Sequence, residues 1–225
     1  MLEVIALDPA DAEAAQTGGA DRLELVSDMS AGGLTPSVEA TRAVLASTTL
    51  PVRVMLRDQD GYRPGDLDGL RRSAAELRAA GASEFVLGFL SADSNIDLEA
   101  CRGLLTELEG CAWTFHRALD NSVDPLLSWA EVENLGADTV LASGAPDGVA
   151  NGLAVLHELA LRQDPLQLLV GGGLRQEHVP GLRGAGVRAF HVGSAVRPRG
   201  WSDPVSAEAV REWAQLCHVE PRVTA

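Results

Sequence analysis

Four times along this chain a helical stretch stops on a glycine and a strand begins about three residues later. The copies are Gly19-Ala20-Asp21-Arg22, Gly81-Ala82-Ser83-Glu84, Gly136-Ala137-Asp138-Thr139 and Gly186-Val187-Arg188-Ala189. A glycine at that place is the left-handed stop of a helix C-terminus, which residues with a Cβ adopt reluctantly. The copies lie 50 to 62 residues apart, about two βα units each, and so mark every second strand. Eight βα units in 225 residues predict an α/β fold, a (β/α)8 TIM-type barrel in one compact domain. An open doubly wound sheet is the competitor. It normally carries a glycine-rich turn after its first strand, and here that turn reads Asp8-Pro9-Ala10.

The remaining elements follow from local signals. Strands are expected over 2–7, 22–26, 52–56, 85–90, 112–115, 139–141, 168–170 and 189–192. Asp-Pro or Thr-Pro pairs at Asp8-Pro9, Thr35-Pro36, Asp124-Pro125 and Asp203-Pro204 are expected to cap helices, because a short polar side chain accepts the first free N–H groups and proline suits the first turn. Leu70, Ala74, Leu77 and Ala80 form the apolar stripe of a helix in between. The domain is expected to span 1–217, with 218–225 a frayed tail.

Composition narrows the partners. A net charge of −14 argues against nucleic acid or an anionic membrane surface. All 18 basic residues are arginine, so neither a Schiff-base lysine nor a phosphate-binding P-loop is available. No apolar run approaches the ~20 residues that span a bilayer. Met1-Leu2-Glu3-Val4 lacks the basic region of a signal peptide, and Cys101, Cys111 and Cys217 show no disulfide or zinc spacing. A cytoplasmic location is expected.

In a barrel, the C-terminal strand ends share one mouth. There the sequence gathers Arg57, His116, Arg117, Asp120, Ser143, Gly171, Gly172, Gly173, His191, Gly193 and Ser194. Strand alternation turns Glu3 and Glu24 inward, because their neighbours Leu2, Val4, Leu23 and Leu25 face the helices. Inward carboxylates need partners, and Arg53 and Arg57 are the expected ones. These groups read either as a structural ion-pair network or as a functional carboxylate pair. His116 suits a metal ligand or a general base, with Asp120 either orienting it or capping the next helix. His191 reads as a site group or as a satisfied core histidine; His157, His178 and His218 read as surface residues. The glycines after strands 7 and 8, with Ser194, Arg117 and Ser143, suit an anion. Met29 is the one soft donor expected near the mouth.

The runs Gly19 to Leu25, Gly32-Gly33-Leu34-Thr35-Pro36-Ser37, Asn95-Ile96-Asp97 and Thr114 to Asp120, with Leu2-Glu3, Arg57, Ser143-Gly144, Gly171 to Gly173 and His191, resemble the CutC family of copper homeostasis proteins. The resemblance implies a cytoplasmic barrel, often a homo-oligomer, with a role in copper handling and copper as its metal. The pattern departs at two places. Relatives carry cysteines after the strand 1 glutamate and at the end of strand 2, where this chain has Ile5, Ala6 and Val26. The strand 3 loop reads Arg57-Asp58-Gln59-Asp60-Gly61-Tyr62 instead of the relatives' arginine-rich Arg-Pro-Arg-Gly-Gly-Asp-Phe. Two functions follow as expectations. One is copper handling through His116 and Met29. The other is an isomerase or lyase acting on a small phosphorylated or carboxylated metabolite, with Glu3, Glu24, Arg57, His116 and Asp120 as catalytic groups. A metal-free interaction protein is the third reading.

Overall fold

The computed structural model describes residues 1–218. Eight parallel strands close into a barrel in sequence order. They are β1 (Leu2–Ala6), β2 (Arg22–Leu25), β3 (Val52–Met55), β4 (Glu84–Leu87), β5 (Ala112–Phe115), β6 (Thr139–Ala142), β7 (Gln167–Val170) and β8 (Ala189–Val192). Each is followed by a helix: α1 (Pro9–Gly18), α2 (Val38–Ser47), α3 (Leu67–Ala79), α4 (Leu98–Leu105), α5 (Pro125–Asn134), α6 (Val149–Ala160), α7 (Val179–Gly184) and α8 (Ala207–Cys217). Gly19, Gly81, Gly136 and Gly186 all sit at positive φ, between 86° and 108°, and each precedes an even-numbered strand as the repeat requires.

Two expected caps hold and two move. Asp8 accepts from Asp11 N at 2.9 Å, and Asp124 accepts from Leu126 N at the same distance. Helix α2 is capped by Ser37, not Thr35, because Thr35 is tied to strand β3. Its Oγ1 donates to Arg57 O at 2.9 Å and accepts from Arg57 N at 2.8 Å. Helix α8 is capped by Ser206, not Asp203, whose carboxylate is held by Arg199 at 2.8 Å. The strands also run a residue or more shorter than expected at β1 to β4, since the chain turns into its loops once the mouth is reached.

The main apolar core lies between barrel and helices. Leu2, Val4, Leu23, Leu25, Val52 and Val54 face it, and Leu70, Ala74 and Leu77 of α3 meet it from outside. Ala80, the last residue of the expected stripe, is the α3 C-cap instead. The alternate strand residues point into the barrel. Barrel interiors are usually filled by branched apolar side chains. This one is part apolar, through Ile5, Val26, Met55 and Val86 on one side and Leu141, Leu169 and Ala189 on the other. The rest is charged or polar and still buried: Glu3, Arg22, Glu24, Arg53, Thr114, Thr139 and His191.

Of the expected tail, His218 lies within the described residues and sits 2.7 Å from Asp21 through Nε2. The others, 219–225, lie outside them. No helix among the described residues is long and apolar enough to cross a membrane.

Candidate functional site

Register sets the polar interior. Glu3 of β1 lies beside Arg22 of β2 and, across the closing seam, beside His191 of β8. Arg22 Nε donates to Glu3 Oε2 at 2.5 Å, and His191 Nδ1 lies 2.8 Å from Glu3 Oε1. Burial raises the Glu3 carboxyl, but Arg22 and His191 outweigh it and hold it down at about 2. The expected partnership with Arg53 and Arg57 is not made. Arg53 reaches the other way, to Glu84 at 3.1 Å and Asp138 at 2.6 Å. Arg57 donates from Nε to Gly61 O and from Nη1 to Gly32 O, both at 2.9 Å, which ties two mouth loops together. Arg22 was within reach of the sequence. The alternation that turns Glu24 inward turns Arg22 inward too.

Glu24 is left with little. Its Oε2 lies 3.8 Å from His191 Nε2, beyond hydrogen-bond range, and its Oε1 has no partner. Burial pushes its carboxyl up to about 7, which the attraction of His191 only partly offsets. Burial lowers His191, yet Glu24 and Glu3 on its two sides prevail and its pKa is raised. Glu3, His191 and Glu24 thus form a carboxylate–imidazole–carboxylate row beneath the mouth. His191 is a group that sequence reading undervalued. In a closed barrel β8 must pair with β1, and that pairing sets His191 beside Glu3.

His116 follows β5 directly. Its Nδ1 accepts from Ala118 N at 3.2 Å, so the ring proton sits on Nε2. That Nε2 is buried and has no partner. Burial first, then the Arg57 and Arg117 guanidiniums, pull its pKa down to about 3, so the ring is neutral. Asp120 does not orient it. The Asp120 carboxylate accepts from Ser143 N at 2.9 Å, Gly144 N at 2.8 Å, Ser143 Oγ at 2.7 Å and Arg117 Nε at 3.0 Å. It pins the end of β6, and burial pushes its pKa up. Ser143 is fully buried in this pin and is not part of the cavity lining.

A cavity of about 410 Å³ opens at the strand ends. Glu24, His191, His116, Arg57 and Arg117 line it, as do Met29, Gly172, Gly173, Gly193 and Ser194. Asp120 and Gly171 are not among its lining residues. Gly171 N donates to Ala142 O at 3.1 Å and so belongs to the barrel ladder, and a Cβ there would lie 2.8 Å from His191. Gly172, at φ +87°, makes room for Arg117, whose Nε would be 2.6 Å from a Cβ. Tyr62 and Trp201 also line the cavity and were not singled out from the sequence. Tyr62 stands edge-on to His116, with ring centroids 5.5 Å apart. Among the other histidines, His157 is exposed, whereas the His178 ring is largely buried and accepts from Arg175 N at 3.1 Å.

The CutC family profile matches residues 1–196. This chain belongs to the CutC family. A CutC family protein of Enterobacter sp. (strain 638) is 31% identical over 194 residues, 85% of this chain and 78% of the relative. One from Pectobacterium atrosepticum is 32% identical over 193 residues, 84% and 77% of the two chains. Among solved structures, one named as the copper homeostasis protein CutC from Streptococcus agalactiae has a TM-score of 0.79 at 24% identity, covering 86% of this chain and 97% of that one. Thiamine phosphate pyrophosphorylase from Pyrococcus furiosus has a TM-score of 0.63 at 16% identity, covering 97% and 96%. These two likenesses show the fold.

The donor set can be tested against the copper that the family's name suggests. Copper(I) favours thiolate and thioether. The Cys101 and Cys217 thiols lie in the outer core, pushed up by burial to about 12 and about 11, and neither is ready to ionise. Met29, the soft donor expected near the mouth, lines the cavity together with a second methionine, Met55, and both offer only thioether sulfur. A metal at His116 Nε2 would drive the ring proton to Nδ1, against the Ala118 N–H. Among the described residues no three His, Cys, Asp or Glu side chains gather as a metal site. The residues do not fit copper(I).

Proposed function

We propose that the barrel mouth binds a small anionic metabolite and moves a proton on it, as an isomerase or lyase does. The observation that carries this reading is that two residues lining one cavity each hold a buried atom without a partner: a donor, His116 Nε2, and an acceptor, Glu24 Oε1. Leaving buried polar atoms unpaired costs about 1–3 kcal/mol each, and a ligand supplying the missing partners recovers it. Around the donor the chemistry is cationic. Arg57 and Arg117 line the cavity with His116 and, after burial, help to lower its pKa. An anion oxygen accepting from Nε2–H sits in their field. Around the acceptor the chemistry suits proton transfer. A carboxyl at about 7 takes a proton from one ligand atom and returns it to another near neutral pH. His191, fixed by Glu3, steadies the charge that appears and disappears on Glu24.

The test is the melting temperature of the protein with millimolar phosphate, small phosphate esters and small carboxylates, beside an anaerobic copper(I) titration. A ligand that binds the folded chain must raise its melting temperature. The expected result is a rise with one class of anion and no tight copper(I) binding. No shift with any anion, together with stoichiometric copper(I) uptake, would overturn the reading in favour of the family's name.

A further inference from the structure

The cavity has two unlike sides. On the β5 side stand His116 and Arg117, the latter with Nη1 without a hydrogen-bond partner among the described residues while Nε and Nη2 are held by Asp120, Ser143, Ala145 and Pro146. On the opposite side of an eight-stranded ring, at β1 and β8, stand Ile5, Gly193 and Trp201. A Cβ at residue 193 would collide with the Trp201 indole and lie 2.9 Å from Ile5 Cδ1. The absent side chain at Gly193 therefore serves the indole: the ring lies directly on the strand end, next to Ile5. Arg197 holds it there, its guanidinium carbon 5.1 Å from the ring centroid. Arg197 is itself fixed by Asp11 at 2.5 Å and by Asp203 O at 2.8 Å, so its charge is already met. Met55, which clusters with Ile5, continues the apolar wall inward.

We infer that the ligand is an anion with a planar apolar body: its phosphate or carboxylate head lies toward His116 and Arg117, and its body lies against Trp201 and Ile5. This rests on the anion-binding reading above and adds the ligand's other half. A polyhydroxylated body, such as a sugar's, would set hydroxyls against Ile5, Met55 and the Trp201 ring, where they lose water and gain no partner. A flat unsaturated body loses nothing there and gains contact with the indole. The volume, about 410 Å³, is near the small end for ligand pockets and admits one such ring with its head group. Glu24 and His191, on β2 and β8, flank the apolar side, so the proton moves on the body and not on the head.

Trp201 makes the test direct. It is 37% exposed, while Trp113, Trp129 and Trp213 are buried, so a ligand-induced change in tryptophan emission reports on the mouth. The full chain is titrated by calorimetry and fluorescence with inorganic phosphate, glycerol phosphate and phenyl phosphate. The expected result is that phenyl phosphate binds at least tenfold tighter than glycerol phosphate, with an emission change. Trp201→Ala should level the two esters, and Trp201→Phe should restore part of the preference. Equal or tighter binding of glycerol phosphate would overturn the inference while leaving the anion reading intact. A preference that survives Trp201→Ala would overturn it too. Failure of all three probes, and of benzoate titrated beside them, to bind would overturn both.

Discussion

His191 Nδ1 lies 2.8 Å from Glu3 Oε1, joining the last strand of the barrel to the first through two buried side chains. Glu3 also answers the Arg22 guanidinium at 2.5 Å. Removing its charge leaves Arg22 buried and unpaired. Glu3→Gln is expected to destabilise the fold by roughly 3–5 kcal/mol in urea unfolding. Adding Arg22→Met should recover part of that loss, because it removes the buried guanidinium left without a counter-charge. A double variant as unstable as Glu3→Gln would show that the destabilisation lies elsewhere. The His191 pKa, followed by its ring NMR signals, should fall in Glu3→Gln.

Glu3 and Glu24 are shifted in opposite directions, Glu3 down and Glu24 up. The Glu24 pKa is raised to about 7 in the folded chain from 4.5. The folded state therefore binds this proton more tightly than the unfolded one, and ionising Glu24 costs stability as pH rises from 4.5 to 7. Above 7 the full cost, about 3 kcal/mol, stays constant. Glu24→Gln is expected to raise the melting temperature at pH 8, with a gain that shrinks toward pH 5. Proton-transfer activity should disappear in the same variant.

For His116 the sign reverses again. Its pKa is lowered to about 3 from 6.5, so the unfolded chain takes up the proton first. The stability this group contributes is complete above 6.5 and declines by about 1.4 kcal/mol per pH unit between 6.5 and 3. His116→Asn keeps an acceptor for Ala118 N and removes Nε2. It is expected to flatten the acid limb of a stability–pH curve and to weaken anion binding at least tenfold. Unchanged affinity would remove His116 from the site.

Asp120 should behave as a structural pin. Asp120→Asn cannot accept all four of its present hydrogen bonds, and the loss is expected to be roughly 2–4 kcal/mol of stability. Anion affinity should fall less than in His116→Asn, since the carboxylate is not part of the cavity wall.

The barrel was legible because helix-stopping glycines obey local backbone sterics, and Gly19, Gly81, Gly136 and Gly186 all adopt the conformation that only glycine takes easily. Inward Glu3 and Glu24 were legible from strand alternation. Their partners were not, because register between strands far apart in sequence decides whether Glu3 meets Arg22, His191 or Arg53. The caps at Thr35 and Asp203 failed because each side chain had a competing partner: for Thr35 the backbone of Arg57, 22 residues on, and for Asp203 the guanidinium of Arg199, four residues back. Glycine runs were ambiguous in kind. Gly171, Gly172 and Gly193 make room for His191, Arg117 and Trp201, a steric duty that looks the same in sequence as a phosphate cradle.

The charged interior also governs how the chain reaches its final state. Residues 3 and 191 are 188 positions apart, and after Arg22 the next side chain to hydrogen-bond Glu3 comes only with β8. A nascent chain carrying the early strands alone would hold Glu3 and Glu24 in a half-open trough, where water is the better neighbour. Half-barrels of this sequence should therefore remain loose, and docking of the eighth strand should act as the step that dries the interior and makes assembly all-or-none.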